Sequence, residues 1–86
     1  MANVHYVVET LQNDLPDLAE EIVAGSHHDP TLKEALRDYE SVCERLDDDG
    51  VSPEDRAEWT EIRDELVDEL RRLVLRLRQQ RERNAP

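Results

Sequence analysis

From Ser52 to Arg83 the chain contains no glycine and, after Pro53, no proline, and it carries Trp59, Ile62, Leu66, Leu70, Leu73 and Leu77 at steps of three and four. That spacing lines side chains up along one face of an α-helix. It predicts a single helix over about 53–83, on the order of 45 Å long at ~1.5 Å per residue. With such an element in a chain of 86 residues, the remainder is left to pack against it.

The start of this helix is strongly marked. Ser52 offers a hydroxyl at the N-cap and Pro53 occupies the first helical position, where a missing N–H is harmless. Glu54 and Asp55 follow at the positive end of the helix dipole, and Asp55 can act as a short capping-box acid. A second helix is predicted over about 30–47. Asp29-Pro30 repeats the cap-and-proline start, Leu32, Leu36, Tyr39, Cys43 and Leu46 form its stripe, and Asp47-Asp48-Asp49-Gly50 stops it.

A first helix over about 3–24 is expected from Val4, Val8, Leu11, Leu15, Leu18 and Ile22. Pro16 removes one of its backbone bonds and predicts a kink or a break at Asn13, Asp14 or Leu15. The unbroken phase of the stripe favours the kink. Gly25 reads as a left-handed C-cap.

Antiparallel neighbours pair residues whose numbers have a constant sum. Cys43 with Trp59, Tyr39 with Ile62, Leu36 with Leu66 and Leu32 with Leu70 add to 101 or 102, as in a short-loop helical hairpin. Ile22 with Leu32, Leu18 with Leu36, Leu15 with Tyr39 and Leu11 with Cys43 all add to 54. The expected fold is all-α: one domain over 1–86, a three-helix arrangement built on an antiparallel helical hairpin with a long C-terminal helix. With 37% hydrophobic residues, no Phe and one Trp, its core must be aliphatic.

In that arrangement the long helix overshoots the second. Leu73, Val74, Leu75 and Leu77 then need a cover, supplied by the first helix, a second copy of the chain or another protein. Leu73, Val74, Leu77, Arg72 and Arg76 are therefore the candidate association surface, with a homodimer among the options.

Charge is unevenly spread. Residues 1 to 70 hold 21 acids and five bases, whereas residues 71 to 86 hold six arginines and one acid. Basic residues at a helix C-terminus suit its dipole, and Asp68 and Glu69 can pair locally with Arg72. Glu54, Glu58, Glu61, Glu65 and Asp68 fall on one stripe of the long helix, at an average axial spacing of ~5 Å. Phosphates of one DNA strand rise ~3.4 Å each, so such a row could imitate a phosphate backbone. A solvated face, or adaptation to a saline host, gives the same spacing and is the plainer reading.

Direct nucleic-acid binding is disfavoured, because the basic patch is one helix end in a strongly negative field and lacks interleaved aromatics. That field also opposes docking of the arginine end on an anionic membrane. No apolar run is long enough to span one. The chain begins without a basic leader, and the lone Cys43 cannot form an internal disulfide, so a cytoplasmic setting is expected. Cys43 falls on an apolar stripe and reads as a small hydrophobe, with Glu44 and Asp47 disfavouring a thiolate.

Metal and catalytic constellations do not assemble. His5 sits at the opposite end of the first helix from His27 and His28, and adjacent His27-His28-Asp29 in a turn is weak metal-ligand evidence. Asp47-Asp48-Asp49-Gly50 in calcium-loop register would place Arg45 at position 1 and Arg56 at position 12. No nucleophile–base pairing and no glycine-rich phosphate loop is present. The expectation is a non-enzymatic chain without cofactor or metal. Two function classes follow: a small protein-interaction module, adaptor or accessory subunit, and an acidic inhibitor such as an antitoxin, anti-defence protein or DNA mimic.

Overall fold

The structure, a computed structural model, describes the backbone of residues 4–84 and the side chains of residues 9–83. Val4, Val8 and His5 thus have side chains outside the described residues. The elements are α1 (Val4–Asp14), α2 (Ala19–Ser26), α3 (Pro30–Leu46) and α4 (Pro53–Asn84), with no strand among the described residues. The fold is all-α.

The first expected helix is broken rather than kinked. Leu15 N–H still donates to Leu11 (2.7 Å), but Pro16 has no N–H to continue the ladder, and a residue preceding proline is held away from the α region. The chain turns over Pro16 to Leu18 and re-enters a helix when Ala19 N–H donates to the Leu15 carbonyl (2.9 Å). Leu11, Leu15, Ala19 and Ile22 all remain buried across the break. The phase of the stripe therefore survives, although the helix does not.

Gly25 is not a left-handed cap. Neither glycine has positive φ, and α2 closes in the right-handed region at His27. Ser26 Oγ donates to the Val23 carbonyl (2.7 Å), satisfying one of the carbonyls left open at the helix end. Gly25 is needed for close approach: a Cβ there would lie 2.8 Å from Leu32 Cδ2 and 3.6 Å from Leu77 Cδ1. The last turn of α2 is thereby wedged between α3 and α4.

The start signals of α3 and α4 act as expected. Asp29 Oδ1 accepts from the N–H groups of Thr31 (2.9 Å) and Leu32 (3.3 Å), and Pro30 opens the helix. Ser52 Oγ accepts from Asp55 N–H (3.2 Å), one half of a capping box. Between them Asp48 Oδ1 accepts from Gly50 N–H (2.9 Å). Arg56 reaches back across the loop to donate to the Leu46 carbonyl (2.8 Å) and the Asp48 carbonyl (3.4 Å). A cation at the negative end of α3 thus locks the hairpin.

Leu11, Leu15, Ile22, Leu32, Tyr39 and Leu70 are the centre of one core, with Val74 at its end. Among the described residues of α4 only Leu70 and Val74 are buried, flanked by Leu66, Val67, Leu73 and Leu77. Ile62, expected opposite Tyr39, is 38% exposed. The buried line passes instead through half-buried Arg63 and Val67, a rotation of roughly one residue from the expected face at that level. The overshoot of α4 is covered in part within the chain, because α2 packs against both α3 and α4, although Leu75 stays exposed. Arg78 closes this contact by donating two bonds to the Glu21 carboxylate. The molecule measures 52 × 24 × 21 Å, its long axis matching a 32-residue helix at ~1.5 Å per residue.

Candidate interaction surfaces

The acidic row comes from helix periodicity alone. Glu54, Glu58, Glu61, Glu65 and Asp68 are all exposed on α4. Among the described residues the ion pairs are Arg63–Asp64 (3.9 Å), Arg72–Glu69 (3.1 Å) and Arg78–Glu21, so none of the five carboxylates has a cationic partner within 4 Å. Of the two acids expected to hold Arg72, Glu69 does so and Asp68 does not.

The five residues singled out at the far end of α4 are divided by the fold. Val74 is 3% exposed in the core, and Leu73 and Leu77 are half-buried against it. Arg72 and Arg76 are exposed. Leu75, 38% exposed, is the large apolar side chain left outside at this end. Arg78 was not singled out from sequence. Its partner Glu21 is 57 positions away, and only the packing of α2 brings the two together.

A second acidic feature lies along the seam of the hairpin. Thr31, Glu34, Ala35 and Asp38 of α3 and Ile62, Glu65, Leu66, Glu69 and Leu73 of α4 line a groove of about 380 Å³. Among the described residues none of its lining comes from α1 or α2. Its floor is apolar and its rim carries four carboxylates, one of which, Glu65, also belongs to the row. Sequence reasoning missed the groove, yet a signal existed. Glu34 with Glu69 and Asp38 with Glu65 both add to 103, close to the sums of 101 and 102 expected for the hairpin.

The polar group inside the fold is different in kind. Tyr39, fully buried, donates its hydroxyl to Asp14 Oδ2 at 2.5 Å, tying α3 to the end of α1. Burial first, and then the bond to Asp14, push the Tyr39 phenol far above its ordinary value. Burial likewise raises the Cys43 thiol, opposed first by the neighbouring Tyr39 hydroxyl and then by Arg63, with Asp14 and Glu40 adding to the rise. A buried, protonated thiol is a poor nucleophile. Arg63 Nε is buried without a hydrogen-bond partner among the described residues.

His27 and His28 are exposed in the turn between α2 and α3. Among the described residues no three His, Cys, Asp or Glu side chains gather where they could hold a metal ion. No helix among them is long and apolar enough to cross a membrane. No protein-family model matches the sequence, and no curated protein and no solved structure is significantly similar to it.

Proposed function

We propose that this chain is a small acidic interaction module, an adaptor or accessory subunit rather than an enzyme, that engages a basic protein surface through its helices. The observation that carries this reading is the row Glu54, Glu58, Glu61, Glu65 and Asp68, exposed along one helix and unpaired among the described residues. Unpaired carboxylates lose little by meeting a partner's cations, since no internal ion pair must first be broken, and a negative field speeds encounter with a positive one. A cytosolic place of action suits the unpaired buried thiol of Cys43. Self-association is a partner choice of the same kind, with Leu75, Arg72 and Arg76 as its exposed candidates.

The ~5 Å spacing of the row supports a second reading, an inhibitor that occupies the nucleic-acid groove of a basic protein. One experiment serves both. The immobilised chain is used to retain proteins from host extract, and a retained protein is purified and assayed directly. Changing Glu54, Glu58 and Glu61 to Gln should leave helicity intact and weaken binding, and added salt should weaken it further. The inhibitor reading additionally requires the chain to compete with nucleic acid for that protein. Binding that ignores both the substitutions and the salt would remove the row from the account.

A further inference from the structure

We propose that the α3–α4 groove is a docking site for a basic amphipathic helix of a partner protein. The proposal rests on the interaction-module reading but uses a surface that shares only Glu65 with the row.

The first argument is electrostatic. Glu34 and Asp38 of α3 and Glu65 and Glu69 of α4 line the same groove, so both of its rims carry the same sign of charge. Among the described residues the ion pair these four make is Glu69 with Arg72 at 3.1 Å. Like charges on the two rims disfavour the closed hairpin unless cations enter between them. A partner with Lys or Arg on both flanks of its contact face supplies them to both rims at once.

The second argument is shape and polarity. The floor formed by Ala35, Leu66 and Leu73 ends at Ile62, one of two large apolar side chains more than a third exposed among the described residues. From Ile62 to Leu73 the floor runs about 16 Å along α4 at ~1.5 Å per residue, the length of three helical turns. A helix with apolar anchors at i, i+3 or i+4, and i+7 fits a trough of that length between two antiparallel helices. Among the described residues none from α1 or α2 lines the groove, so a docked helix adds to the bundle without displacing them.

The occupant is not a second copy of this chain. Its basic segment, the end of α4, already commits Arg78 to Glu21 and packs Leu73, Val74 and Leu77 against its own core. Two copies would also bring together chains of net charge −11.

The test uses the full chain and three synthetic peptides: an amphipathic helix of Leu anchors flanked by Lys, the same peptide with Glu for Lys, and a scramble of the Lys peptide without helical periodicity. Binding is measured by calorimetry, and amide shifts map the contact. The Lys helix should bind and perturb residues 31–38 and 62–73, the Glu peptide should not bind, and the scramble should bind about tenfold more weakly. The substitutions Glu34→Gln plus Asp38→Gln, and separately Ile62→Ser, lie at exposed positions. Each should weaken the Lys helix about tenfold, whereas Glu54→Gln plus Glu58→Gln plus Glu61→Gln should change it less than about threefold. Equal binding of the scramble, or an equal loss with the row variant, would reduce the groove to part of a diffuse field and overturn the proposal. No binding of the Lys helix would overturn it and leave the row reading intact. A dimer in light scattering that the groove substitutions dissociate would assign the groove to a second copy and also overturn it.

Discussion

Tyr39 ties α3 to α1, because its hydroxyl donates to Asp14 at the end of α1. Tyr39 and Cys43 both ionise to anions, and the fold holds both above their ordinary values of 10.0 and 9.0. A raised pKa contributes stability that is fully present below the unfolded value and is lost as pH rises past it. Stability should therefore decline above about pH 9 to 10, where the unfolded thiol and phenol ionise, with no such loss from these groups at neutral pH. Thermal melts across that range, with absorbance at the phenolate band, check it. Tyrosinate from Tyr39 should appear together with loss of helicity, and Tyr39→Phe should flatten the part of the decline above pH 10. A Tyr39 that titrates in the folded protein would contradict its burial. Gly25 supplies a second prediction of opposite sign to helix propensity. Alanine is ~1 kcal/mol better than glycine in a helix interior, but its methyl would stand 2.8 Å from Leu32 Cδ2, and Leu32 is fully buried with little freedom to move. Overpacking costs about 1 to 3 kcal/mol, so Gly25→Ala should lower stability in urea denaturation rather than raise it.

At the level of elements, the starts of α3 and α4 and their packing together were legible, and the rotation of one helix was not. Ser52-Pro53 and Asp29-Pro30 are local signals, and both side chains cap as their chemistry dictates. The constant sums also foretold that α3 and α4 pack together and that Leu11, Leu15, Ile22, Leu32, Tyr39 and Cys43 share a core. Three features depended on contacts between elements. A stripe kept in phase across Pro16 suits one bent helix and two helices joined by a turn equally well. A glycine near a helix end reads as a cap whether or not a leucine lies against it. On α4 the spacing of Ile62, Leu66 and Leu70 is compatible with faces differing by one residue, and half-buried Arg63 decides between them. Mutation tests this rotation: Leu70→Ala, at a fully buried site, should cost about 2 to 5 kcal/mol. Ile62→Ala should cost within about 0.5 kcal/mol. Comparable losses in chemical denaturation would restore the expected face. The candidate site follows the same division. The row was visible as periodicity within one helix, whereas the groove needs two helices in register.

Over the whole molecule, length keeps the two charge populations apart. Asp47, Asp48, Asp49, Glu54 and Asp55 gather exposed at the hairpin end, while Arg76, Arg81 and Arg83 are exposed toward the other end of a body 52 Å long. The Debye length is about 8 Å at physiological salt, so the arginines do little to neutralise the distant acids. Within the acidic part, carboxylates repel in the folded chain more than in the expanded one, which lowers stability. Salt screens that repulsion, and it equally screens attraction to a basic partner. Stability and affinity should consequently respond to salt in opposite directions: the melting temperature should rise from low to physiological NaCl while partner affinity falls. Glu54→Gln plus Glu58→Gln plus Glu61→Gln should shift the low-salt melting temperature upward and reduce its salt dependence, because part of the repulsion has been removed at its source. Circular dichroism melts at several salt concentrations, paired with binding measurements in the same buffers, test the opposition directly. A melting temperature indifferent to both salt and substitution would mean that water already screens these acids from one another, and the row would then represent no stability given up for binding.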